Sequence, residues 1–99
     1  VRRIGSRRPL AIASSSNRPL IDLFLELTGT GDVFRATVSS EEVARGKPAP
    51  DLFLHAAACM KADPRHCIVI EDSLPGVRGA ATAGMRVFRD WLLAAAAAA

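Results

Sequence analysis

The sequence predicts an α/β fold, a mostly parallel β-sheet covered by helices on both faces. Short apolar runs alternate with stretches of helical periodicity from residue 10 to residue 88, the pattern of β-α-β units in a parallel sheet. The run Cys67-Ile68-Val69-Ile70 is apolar at every position, as expected of a strand buried on both faces. Polar clusters follow the apolar runs. In such sheets the ligand crevice lies outside the carboxyl ends of the strands.

The first strand is read over residues 10–13, ending at Ser14-Ser15-Ser16-Asn17. A helix over 19–27 follows. Leu20, Phe24 and Leu27 share one face with Ile21 and Leu25 beside it, while Asp22 and Glu26 take the other side. Ser16 or Asn17 is placed to cap this helix, and Gly29 to stop it. Residues 34–38 suit a pleated surface and make the second strand. A polar connector with Gly46, Lys47, Pro48 and Pro50 leads to a helix opened by Pro50 and Asp51, whose apolar stripe is Leu52, Phe53, Ala56, Ala57 and Met60. The strand over 67–70 runs into Glu71-Asp72-Ser73. A helix over 75–83, Gly84 and a last strand over 85–88 complete the pattern.

Ninety-nine residues suffice for one small domain, read as a partial core over residues 1–93 with six terminal alanines, 94–99, that are assigned no function. With 49% apolar and 23% charged residues the composition is globular and argues against disorder. No apolar stretch reaches the roughly 18 residues of a membrane span. The apolar run after the first arginines is too short for a secretory signal, so a cytoplasmic location is expected. Cys59 and Cys67 lack C-x-x-C spacing, and His55 and His66 lack finger spacing, so thiols rather than a zinc site are expected. Arg2, Arg3, Arg7 and Arg8 account for much of the net charge of +3. No aromatic residue interleaves them, and they read as solvated charge rather than a nucleic-acid surface.

Three clusters carry chemistry. Glu71 and Asp72 are adjacent carboxylates at the end of an apolar run, and two such charges in a dry site call for a compensating cation. Magnesium, which prefers one or two carboxylates with waters and substrate phosphate, would supply it. Equally, Glu71, Asp72 and Ser73 before Pro75 suit a helix cap and its dipole. Lys47 lies between Gly46 and Pro48, and Pro48 biases it toward extended backbone, so its ammonium projects from a loop, placed either to hold a phosphate or simply to be solvated. Ser14, Ser15 and Ser16 join a strand to a helix, where hydroxyls and free amides make either a phosphate cradle or an ordinary turn.

The order of these clusters narrows the alternatives. The words LAIASSSN, GKPAPDLF and IVIEDSLPGV resemble three of the four motifs of the haloacid dehalogenase superfamily, in particular its β-phosphoglucomutase-like phosphatases and mutases. This resemblance spans residues 9–88. It implies a three-layer Rossmann-like core and magnesium-dependent phosphoryl transfer, with hydrolysis of a small phosphomonoester such as a sugar phosphate expected ahead of mutase chemistry. By the same resemblance Ser14 and the Ser15 amide bind the phosphoryl group. Lys47 bridges it to the nucleophile, Asp72 ligates Mg2+ directly, and Glu71 ligates it directly or through water and pairs with the lysine. Asn17 falls where members contact substrate or cap. The family's first motif, a strand ending in Asp-x-Asp-Gly-Thr, does not occur here, nor does its helical cap domain. The resemblance therefore implies an incomplete core, lacking the nucleophile strand and needing an upstream segment to finish its sheet. A non-catalytic domain binding a phosphorylated ligand or partner is the alternative.

Overall fold

A computed structural model describes residues 7–89. They form β1 (Ala11–Ser14), α1 (Arg18–Thr28), β2 (Ala36–Ser39), a 3-10 turn (Ser40–Glu42), α2 (Asp51–Cys59), a second 3-10 turn (Pro64–His66), β3 (Ile68–Glu71), α3 (Leu74–Thr82) and β4 (Arg86–Arg89). Arg2, Arg3 and the alanines at 94–99 lie outside the described residues. The alternation read from the sequence is present. Each strand, however, ends one residue beyond its apolar run, because the parallel ladders continue through Ser14↔Ser39 and Glu71↔Arg89. Ser14 and Glu71 are thus held by strand backbone rather than by loops.

Local chemistry sets the helix ends. Asn17 accepts a hydrogen bond from the Leu20 amide and caps α1, which stops at Gly29 in the left-handed region, φ 64°. Ser73 caps α3 through the Gly76 amide. Residues alternate along β1. Ala11 and Ala13 pack with Val38, Leu52 and Ala56, on the side of α2, whereas Ile12 and Ser14 line a cavity with Leu20, Ile21 and Phe24 of α1. Helices α1 and α2 therefore lie on opposite faces, giving three layers. On the α2 face, Phe53, Ala57, Ala80, Ala83 and Met85 form a second cluster over Val69 and Val87.

Two apolar expectations need correction. β3 is not buried on both faces: Ile68 and Ile70 are 62% and 59% exposed. They point away from α2 and α3, to a face on which no described helix covers them. Likewise the stripe Leu20, Phe24 and Leu27 of α1 stays exposed, and Ile21 is the residue this helix buries.

The sheet is also divided. Among the described residues β1 pairs only with β2 and β3 only with β4, each in parallel, as two separate two-stranded sheets. The Leu10 carbonyl accepts from Arg35 N beside β2, and the Cys67 carbonyl from Arg86 N at the start of β4. Peptide groups along a strand alternate in direction, so those of Ala11, Ala13, Ile68 and Ile70 face away from these partners. The same four residues line one cavity of about 300 Å³ between the two sheets. Two interior-type edges thus confront each other across a gap.

Candidate active site

The carboxyl ends of β1 and β3 and the loop before α2 converge at one end of this gap. Ser14, Ser15, Lys47, Glu71 and Asp72 line a common cavity of about 500 Å³. The structure thus brings together five of the six site residues read from the sequence. Asn17 is the exception, its Oδ1 being occupied by the Leu20 amide at 3.0 Å.

Lys47 is the hub. Its Nζ donates to Glu71 Oε2 at 2.8 Å and to the Ala13 carbonyl at 3.2 Å, and lies 5.2 Å from the centre of the Phe53 ring. The pair is well buried, with side-chain exposures of 11% for Lys47 and 9% for Glu71. The Ala13 carbonyl is one of those turned into the gap, so the ammonium ties the open edge of β1 to the carboxylate at the end of β3. The loop lysine is not solvated but fixed by a carboxylate, a carbonyl and a ring face.

Glu71 is fully engaged. Its Oε1 accepts from the Asp72 amide at 3.1 Å, the Ser73 amide at 3.3 Å and Ser73 Oγ at 3.2 Å, while Oε2 takes the lysine. Burial pushes its carboxyl pKa up, but the hydrogen bond and charge of Lys47, with the two amides, outweigh this and hold it below the ordinary value. A side chain on Gly76 would overlap this carboxylate. Glycine at the first turn of α3 is therefore what lets Glu71 fold back against the helix. Asp72, by contrast, is exposed, and its carboxylate has no protein partner among the described residues. The adjacent acids divide the work: one anchors the lysine and one faces the cavity.

On the opposite wall, Ser14 Oγ accepts from the Ser16 amide at 3.0 Å. Its proton is left for another acceptor, and Asp72 and Lys47 border the same space. A hydroxyl donor, a fixed ammonium and an unpaired carboxylate around one cavity suit a phosphoryl group with its counter-cation.

The family description haloacid dehalogenase-like hydrolase matches residues 2–84. The chain belongs to the haloacid dehalogenase-like hydrolases. It is 46% identical over 80 residues to the bifunctional riboflavin kinase/FMN phosphatase of Arabidopsis thaliana, covering 80% of this chain and 21% of that protein. It is 42% identical over 77 residues to the β-phosphoglucomutase of Bacillus subtilis, covering 77% and 33%. A crystal structure of CbbY from Rhodobacter sphaeroides in complex with phosphate superposes with a TM-score of 0.80 at 28% identity, over 85% of this chain and 39% of that one. The chain thus spans less than half the length of these relatives. For this haloacid dehalogenase-like chain the α/β class and the incomplete Rossmann-like core expected from the sequence hold.

Two residues of the site were missed in the sequence. Phe53 reads there as a plain core residue, yet its ring also supports Lys47. Gly76 reads as part of an ordinary helix start, and only the folded-back Glu71 gives it a reason. Among the described residues no group of three or more His, Cys, Asp or Glu is placed to hold a metal, and no helix is long and apolar enough to cross a membrane.

Proposed function

We propose that the full-length protein is a magnesium-dependent phosphatase of small phosphomonoesters, sugar phosphates being the favoured class, and that this chain supplies the phosphoryl-binding half of its site. The observation that carries the reading is the Lys47 ammonium, fixed between Glu71 and the Ala13 carbonyl at the mouth of the gap. A strand running parallel to β1 and β3 would fill that gap and bring its carboxyl end to Lys47. In the family resemblance, that strand bears the aspartate nucleophile.

The upstream carboxylate attacks phosphorus, the ester oxygen leaves as an alcohol after taking a proton, and water then releases phosphate from the acyl phosphate. Lys47 neutralises charge on the equatorial oxygens and on the attacking carboxylate. Ser14 donates its hydroxyl proton to a phosphoryl oxygen. Asp72, the unpartnered carboxylate, would hold magnesium together with the upstream carboxylate and the phosphate, while Glu71 keeps Lys47 in place. Bound magnesium would supply Lewis-acid stabilisation of the transferring group. Hydrolysis is favoured over mutase chemistry by the hydrolase description that fits the chain.

Lys47→Ala in the full-length protein tests this. We expect kcat to fall about 100-fold or more, as for loss of a preorganised electrostatic group. An unchanged kcat with only a raised KM would reduce Lys47 to a binding residue and refute the role given to it.

A further inference from the structure

The turn after β1 that carries Ser14 does not hold itself. Ser40 Oγ donates to the Ser15 carbonyl at 2.9 Å, and Ser39 Oγ donates to the Ser16 carbonyl at 2.8 Å. The Arg18 amide donates to Glu41 Oε1 at 2.8 Å, closing the far end. Three consecutive residues of the β2 end and its 3-10 turn, Ser39, Ser40 and Glu41, thus grip Ser15, Ser16 and Arg18 across the β1–α1 junction. The gripping segment is itself braced as a capping box, with Ser39 N on Glu42 Oε2 at 2.6 Å and Glu41 N on Ser39 Oγ at 3.2 Å. Ser39 is fully buried. Its single proton goes to the Ser16 carbonyl, since its other acceptor contact, Glu41 Oε1, is longer at 3.4 Å.

The geometry has a directional consequence. In a trans peptide the C=O and the following N–H point opposite ways from one rigid plane. The Ser15 carbonyl is held by Ser40, so the Ser16 N–H on the same plane is aimed the other way, and it donates to Ser14 Oγ. Ser40 and Ser14 are therefore linked through one peptide unit. The bond into Ser14 Oγ occupies a lone pair and leaves the hydroxyl proton to the cavity. We infer that Ser40, braced by Ser39, is a positioning residue that sets the donor direction of the Ser14 hydroxyl toward a bound phosphoryl group. It touches no substrate. This rests on the phosphoryl-binding reading of the cavity given above.

A double-mutant cycle in the full-length protein tests it, with inorganic phosphate as the probe and its inhibition constant as the readout. Ser14→Ala and Ser40→Ala should each weaken phosphate binding about 10- to 100-fold, the scale of one hydrogen bond to a charged group. The double variant should be no weaker than Ser14→Ala alone, because Ser40 acts only through Ser14. Ser40→Thr, which keeps the hydroxyl, should restore wild-type binding. Full additivity of the two substitutions would overturn the inference. So would Ser40→Ala that lowers the melting temperature while leaving phosphate binding unchanged. If Ser14→Ala itself leaves phosphate binding unchanged, the phosphoryl-site reading fails, and this inference fails with it.

Discussion

Replacing Gly76 by alanine puts a methyl group into the space of the Glu71 carboxylate. That carboxylate cannot swing aside cheaply, since Lys47, the amides of Asp72 and Ser73, and the Ser73 hydroxyl all bind it. Alanine favours a helix over glycine by about 1 kcal/mol. Breaking a buried ion pair costs about 3–5 kcal/mol. The net loss is therefore about 2–4 kcal/mol, a large share of a domain stability of roughly 5–15 kcal/mol. In urea, with a slope of about 1–3 kcal/mol per molar, the unfolding midpoint of the full-length variant should fall by roughly 1–2 M. Turnover should fall with it, because a displaced Glu71 releases Lys47. A Gly76→Ala midpoint equal to wild type would show that Glu71 does not need this position, and would remove the reason given for the glycine.

Two further outcomes follow from the same geometry. The Glu71 carboxyl is held below its unfolded value of 4.5, so its contribution is fully present above that pH and is lost as pH falls through the depressed folded value. The melting-temperature gap between wild type and Glu71→Gln should hold from pH 7 to 5 and narrow below 4, and a gap constant down to pH 3 would contradict the pairing. Among the described residues two strand edges stay unpaired, at about 1–3 kcal/mol for each buried unsatisfied group. Expressed by itself the 99-residue chain should show no phosphatase activity and no sharp thermal transition, and a cooperative monomeric transition would refute the open-gap reading.

Much of this was legible because strand ends and helix starts have local signatures. The apolar run at 67–70 locates Glu71 and Asp72, and the proline after Lys47 marks it as a loop residue. The division of labour between Glu71 and Asp72 was implied by the family resemblance but not by the residues themselves, since it depends on which carboxylate folds back, and that turns on the missing side chain of Gly76, five positions on. Ser39 and Ser40 escaped notice as site residues because they act on carbonyls 23 and 25 positions away. The S-x-x-E capping box at Ser39 and Glu42 was readable, but it announces a turn and not what the turn grips. Ile68 and Ile70 misled for a different reason. Apolar composition states what a strand can bury, while their exposure reflects what covers them among the described residues.

The most direct test is the magnesium dependence of phosphomonoester hydrolysis by the full-length protein, measured for wild type and Asp72→Asn. Asp72 has no structural partner to lose among the described residues, so the variant should fold normally. Wild-type turnover should require magnesium, and Asp72→Asn should lose most of it even when magnesium is saturating. Equal magnesium-dependent rates in the two proteins would contradict the assignment of Asp72 and, with it, the division of the two carboxylates on which the site is built.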